Sequence, residues 1–241
     1  VSATLGALRS NRRERIRRLD VSVRIGTPKL DNYHRIAGDR ARFTGGITIP
    51  IEDNPAAIRR YLWLETDRVY RLAAERLIKV RSNQQLKAAE EDDSDDFSAE
   101  EPEQYSEPVR RLSFPADEAA ARVRKWSAAF ARHPLIVFSQ ATLTVRRDTR
   151  YFVNTEGARI QHGRGYANIT LYGGGKAADG MDITASHGFD AEDYTGLPGD
   201  KEVLAAAERV AADVNGMLRA PLAEPFVGPA ILSGSAAAVL F

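Results

Sequence analysis

The chain has 241 residues, 43% of them hydrophobic and 28% charged, the proportions of ordinary globular material. At that length roughly 70–75% of the unfolded surface can be buried, enough for one large domain or two small ones. A net charge of +1 gives no global pull toward nucleic acid or membrane, no apolar run approaches the roughly 20 residues of a bilayer span, and the lack of cysteine excludes disulfides, thiolate ligands and a cysteine nucleophile.

A cysteine-free chain is compatible with the cytoplasm, the expected compartment. Val1 opens inside an apparent strand, which predicts that the natural N-terminus lies upstream and leaves an export signal open. Residues 1–26 read as a hairpin: Val1, Ala3, Leu5 and Ala7 alternate with small or polar neighbours, as do Leu19, Val21, Val23 and Ile25. Ser10 to Arg13 supplies the turn. The stretch 27–50, with Pro28, Gly38, Gly45 and Gly46, reads mostly as loop. Asp53 or Asn54 followed by Pro55 starts a helix, because proline loses no hydrogen bond at the first helical position. Ile58, Leu62, Val69, Leu72, Ala73, Leu77 and Val80 then follow helical spacing, with Tyr61 and Leu64 widening the apolar face, and the helix is predicted to reach Ala89.

From Glu90 to Glu107 there are ten acidic residues and no basic one, which predicts a solvated linker or mobile loop. A second helix starts near Pro115, with Asp117 and Glu118 at its positive end. Ala119, Val123, Trp126 and Phe130 form its inner face, and His133-Pro134 ends it. The character then changes to β. Ile136, Phe138, Leu143 and Val145 are candidate inward residues, with slippage near Gln140 that suggests a bulge. Tyr151 to Val153 meets a turn at Asn154 to Gly157, Ile160 to Leu171 forms the next strand, and Asp179-Gly180 turns the chain back through Met181 to His187. Asp200 is placed as the cap of a third helix carrying Val203, Leu204, Ala207, Val210, Ala211, Val214 and Leu218 on one side. Val227 to Leu232 reads as a short buried strand, and Ser233 as the cap of a small-residue helix running to Phe241. The predicted class is α+β: an antiparallel or mixed sheet with packed helices and a long helix near 55–89. The predicted organisation is a hairpin plus long helix over 1–89, the acidic segment at 90–112, and an α+β subdomain over 113–241.

Several clusters invite a chemical reading and are better explained structurally. The histidines, His34, His133, His162 and His187, have no second histidine or carboxylate at helical ligand spacing. Gly173-Gly174-Gly175-Lys176 is followed by Ala177, so it fails the phosphate-loop pattern; a strand kink or bulge explains it better. Asn154, Glu156 and Gly157 have the spacing of a turn rather than of a catalytic carboxylate. Ser233-Gly234-Ser235 lacks a nucleophile elbow. Arg9, Arg12, Arg13, Arg15, Arg17 and Arg18 crowd the first hairpin, but no aromatic residue lies within 1–32 to stack a base, so a solvated hairpin or subunit contact is preferred to nucleic-acid binding. No catalytic, cofactor-binding or metal-ligating residue is assigned within the chain.

Two stretches carry a resemblance. Ala223-Glu-Pro-Phe-Val-Gly-Pro-Ala-Ile-Leu-Ser-Gly-Ser-Ala-Ala-Ala-Val-Leu-Phe241 resembles the segment just before the metal site of the TldD/PmbA family, named as modulators of DNA gyrase and including zinc metallopeptidases. Arg150-Tyr-Phe-Val-Asn-Thr-Glu-Gly157 is similar to a strand and turn of the same family. The resemblance implies an N-terminal scaffold domain whose zinc-binding helix, His-Glu-x-x-x-His, would follow Phe241. It also implies unfolded or extended peptides as substrate, and a homodimer or a heterodimer with a related member. Neither membrane nor nucleic acid is expected as a partner. The alternative is a non-catalytic partner subunit of the same fold.

Overall fold

The structure, a computed structural model, describes residues 1–36, 46–86, 94–221, 224–232 and 234–240. Its contacts divide the chain into two compact units: Val1–Asn11, Pro108–Thr149 and His162–Phe241 form the first, Arg12–Glu107 and Arg150–Gln161 the second. In chain order the elements are β1 (Ser2–Thr4), β2 (Ala7–Ser10), β3 (Arg17–Leu19), β4 (Gly26–Thr27), β5 (Leu30–Asp31), β6 (Ile47–Ile49), α1 (Pro55–Leu86), β7 (Gln104–Ser106), α2 (Ala116–Ala128), β8 (Phe138–Val153), β9 (Arg159–Lys176), β10 (Asp182–Ala191), α3 (Asp200–Arg219) and α4 (Ser235–Ala238). The α+β class is as predicted.

The first unit is built on strands in the order β10-β9-β8-β1-β2. The hairpin that opens it is tighter than the alternation suggests. Leu5 and Gly6 both take positive φ, 47° and 83°, so a two-residue turn returns the chain at once into β2. Leucine is a rare occupant of that conformation, which is why Val1 to Ala7 reads as one strand. The predicted return strand at Leu19 to Ile25 does not pair with β1; β1 lies between β2 and β8 instead.

Helices α2 and α3 pack on this sheet. Ala119, Val123, Trp126 and Phe130 are all buried, as their spacing requires, and the last of them sits in a 3-10 turn that continues α2. From α3, Val203, Ala206, Ala207, Val210, Ala211 and Val214 complete the core with Ala141, Leu143, Ile169 and Leu171 from the strands. On β8 the inward residues are Ser139, Ala141, Leu143 and Val145, in unbroken period two. Of the predicted inward set, Ile136, Leu143 and Val145 face the core, whereas Phe138 stands on the opposite side against Tyr172. Asp200 is the first residue of α3 rather than its cap; Gly199 holds the cap position, and the Asp200 carboxylate turns to α2.

The C-terminal prediction is corrected. Val227 to Leu232 forms no strand: Phe226 is 81%, Val227 100% and Ile231 97% exposed. A short apolar run stays extended only when a neighbouring strand satisfies its backbone, and none of the described residues does so. The α4 helix has Gly234 at its cap position and ends at Ala238, short of the predicted Phe241; Val239 and Leu240 after it are exposed. Ser233, the predicted cap, and Phe241 lie outside the described residues.

In the second unit Asn54 caps α1: its side-chain oxygen accepts from the backbone of Ala56 (3.0 Å) and Ala57 (3.2 Å), with Pro55 next in line. Val69, Ala73, Leu77 and Val80 are buried at helical spacing, as predicted. Leu62, Leu64 and Leu72 are exposed instead, as are Trp63, Tyr70 and Ile78. The predicted end at Ala89 and the glycines at 38 and 45 fall outside the described residues. Around α1, β3 pairs with β6 and β4 with β5, so part of the expected loop over 27–50 is short strand. β7 runs parallel to Arg159–Gln161 of β9.

Candidate functional site

His34 Nδ1 lies 2.7 Å from Asp96 Oδ1, and His133 Nε2 lies 2.8 Å from Glu208 Oε2. His187 packs edge-on against Phe189, with ring centres 4.7 Å apart. His162 is half-buried at the start of its segment in the first unit. Among the described residues no three His, Asp or Glu side chains come together to hold a metal ion. The described residues therefore do not make a zinc site, and no chemical step is assigned to zinc within them.

The glycine run lies in regular strand. Gly173, Gly174 and Gly175 pair in continuous register with Ala185, Thr184 and Ile183, without the bulge offered as one explanation. Close packing against neighbouring groups accounts for the glycines instead. A Cβ at Gly173 would meet the Phe130 ring at 3.2 Å, and one at Gly175 would lie 2.4 Å from the Leu135 carbonyl oxygen. The amide of Val137 donates to the Gly174 carbonyl at 3.0 Å, pulling that segment onto the strand.

Asn154 organises the turn after β8: its side-chain oxygen accepts from Ala158 N at 2.8 Å, and its amide group donates to Glu156 at 2.9 Å. Gly157 has φ +109°, the conformation that fixes glycine there. Glu156 is exposed and committed to the turn. In the arginine-rich segment, Arg12 pairs with Glu14, and Arg17 binds the carbonyls of Pro50 and Glu52 together with Asp53. Arg13, Arg15 and Arg18 are exposed.

The acidic stretch has a specific anchor that composition does not signal. Asp96 accepts from Asp31 N (2.8 Å) and pairs with His34, while its own amide donates to the Pro28 carbonyl (2.7 Å). Arg24 ion-pairs with the fully buried Asp31, donates to the Asp96 carbonyl, and lies over the rings of Tyr33 and Phe97. This polar cluster ties β4, β5 and the acidic segment together within the second unit.

Two features of the first unit have the form of binding surfaces. One is the outer edge of β10. Its ten residues pair with β9 without a register shift, and they include no lysine and no proline. Natural edge strands are usually blunted by such residues, by bulges or by shortness. β10 carries charge only near its ends, at Asp182 and Asp190, so the middle of its edge can act as a template for another strand.

The other is a depression of about 130 Å³ above Gly165, lined by Arg111, Arg146, Arg147, Glu192, Asp193 and Tyr194 among others. A Cβ at residue 165 would come within 2.3 Å of the Glu192 carbonyl oxygen and 3.0 Å of Arg147 Nη2, so glycine lets both groups close over the strand. Asp193 accepts from Thr195 N (2.9 Å), Thr195 Oγ1 (2.6 Å) and Gly196 N (3.2 Å). These hydrogen bonds, led by the Thr195 hydroxyl, hold its pKa below the ordinary aspartate value, with a smaller contribution from the charge of Arg147. Tyr194 is fixed from behind: its hydroxyl accepts from Arg122 at 2.9 Å, and its ring lies 6.0 Å from Phe114. Arg146 is paired with Asp148. The sequence gives no warning of this recess, because Arg111 and the 192–195 turn are some eighty residues apart and meet only through the fold.

Comparison of the chain with family models, with curated proteins and with solved structures finds no match in any of the three.

Proposed function

We propose that the chain is the scaffold and substrate-cleft part of a TldD/PmbA-like zinc metallopeptidase acting on unfolded peptides, with the metal held by residues that follow Phe241. The resemblance at 150–157 and 223–241 supplies the family. The unblunted β10 edge is the observation that carries the role: an extended peptide can add to it as a strand, held by main-chain hydrogen bonds that are indifferent to sequence. Such pairing suits unfolded chains and rejects folded ones.

The expected result is that this chain binds an unstructured peptide without cleaving it, with or without added zinc. The amide signals of 182–191 should shift on binding, and a backbone N-methylated peptide, which cannot donate to the edge, should leave them unmoved. Cleavage that survives repurification and disappears with a chelator would overturn the assignment. So would peptide binding indifferent to N-methylation. A different sequence from His-Glu-x-x-x-His after Phe241 would remove the peptidase reading of the parent protein.

A second reading, a non-catalytic partner subunit of the same fold, is favoured by α1. Its exposed Leu62, Trp63, Leu64, Tyr70 and Ile78 give apolar surface of the kind that subunits cover. The same downstream residues separate the two readings.

A further inference from the structure

Four arginines among the described residues are half-buried: Arg17, Arg76, Arg122 and Arg147. Three of them have their donors engaged. Arg17 binds two carbonyls and Asp53, Arg76 the carbonyls of Asn32 and His34, and Arg122 the side chains of Asp200 and Tyr194 with the Pro198 carbonyl. Arg147 makes no direct hydrogen bond or ion pair among the described residues; its charge reaches the Asp193 carboxylate only from beyond contact distance. A guanidinium carries five donors in a rigid fork, and partial burial weakens their hydration without replacing it. The exception therefore calls for an explanation.

We propose that the depression above Gly165 binds a small oxyanion, a phosphate or carboxylate group, gripped by Arg147 and Arg111. Both side chains line the same recess, and Arg111, like Arg147, makes no direct hydrogen bond or ion pair among the described residues. A planar guanidinium meets either oxyanion with two parallel hydrogen bonds. The volume, about 130 Å³, suits one such group and little more. The Asp193 carboxylate makes its hydrogen bonds to the turn at Thr195 and Gly196 and feels the Arg147 charge without a direct contact, so the donors of the fork stay open. Glu192 and Asp193, which also line the recess, are the opposing charges; they set an upper limit on affinity and make the site sensitive to charge at position 192. The site is independent of the β10 edge, so it stands or falls separately from the peptidase reading.

The test is calorimetric titration of the whole chain at low ionic strength with inorganic phosphate in one arm and acetate in the other. Screening at high salt would hide a weak electrostatic site. Binding in the phosphate arm, the acetate arm or both supports the site, and their ratio identifies which group it takes. Arg147→Gln should weaken binding at least about tenfold, the loss of one charge-assisted contact. Glu192→Gln should strengthen it, and Arg110→Gln, next to but outside the lining, should leave it unchanged. Failure of both anions to bind overturns the proposal. So does an Arg147→Gln variant that binds like the parent while its thermal transition is intact, or a Glu192→Gln variant that binds no better.

Discussion

Replacing Gly175 by alanine should cost about 2–3 kcal/mol of stability, the upper part of the range for overpacking a closed site. The new methyl would sit 2.4 Å from the Leu135 carbonyl oxygen and 2.7 Å from Leu218 Cδ1. Leu218 can change rotamer. The carbonyl belongs to backbone held beside the strand through the Val137–Gly174 hydrogen bond and cannot step aside alone. In a chain of this size the loss corresponds to a fall of about 5–10 °C in the melting midpoint. Gly188→Ala is the matched control in β10: its methyl would find its nearest neighbours at 3.9 Å, ordinary contact, so the change should stay within about 0.5 kcal/mol. Equal melting points for the two variants would show that the glycine run is not packed as described.

The second large effect is expected at Arg122. Its guanidinium donates to Asp200 Oδ1 (2.8 Å), the Tyr194 hydroxyl (2.9 Å) and the Pro198 carbonyl (3.0 Å), and lies over the buried Trp126 ring. Trp126 Nε1 donates to the same carboxylate at 3.0 Å, and Lys125 reaches its other oxygen. The cluster joins α2 to the start of α3. Arg122→Met keeps much of the apolar stem but strands Asp200 with fewer donors, and should cost about 2–3 kcal/mol at neutral pH in urea unfolding.

The pH dependence gives an independent check. Burial pushes the Asp200 pKa up, but the hydrogen bonds from Arg122, Lys125 and Trp126 together outweigh it and leave the group below its ordinary value. A carboxylate depressed in the folded state contributes fully above the unfolded pKa, about 4, and loses that contribution as pH falls through the folded value. The gap between parent and Arg122→Met should therefore narrow below about pH 4. A gap that stays constant down to pH 2 would mean that Asp200 is not the partner that matters.

The helices of this protein are legible in the residues because each carries both a period and a boundary. Asn54-Pro55 marks the start of α1, and the spacing of Ala119, Val123, Trp126 and Phe130 marks the inner face of α2. Those signals depend on neighbours within one or two turns. The opening hairpin is less legible because its turn uses Leu5 in a conformation usually taken by Asn or Gly. The tail from Val227 to Leu232 misleads for the opposite reason: its apolar residues have strand composition, and a strand exists only with a partner. The polar sites were invisible in the sequence. Nothing distinguishes Asp96 from nine other acids nearby, or Arg147 from Arg146, until the fold sets His34, Asp31 and the 192–195 turn beside them.

The anchoring of Asp96 has a consequence for how the second unit responds to a cut chain. Upstream, the segment is fastened by Asp96 to Pro28, Asp31 and His34; downstream, β7 is zipped onto Arg159–Gln161. The exposed residues 98–103 bridge these two fixings. A protease that nicks the bridge would leave each new end fastened on its own side, so the two pieces should separate under denaturing conditions yet migrate as one body in their native state.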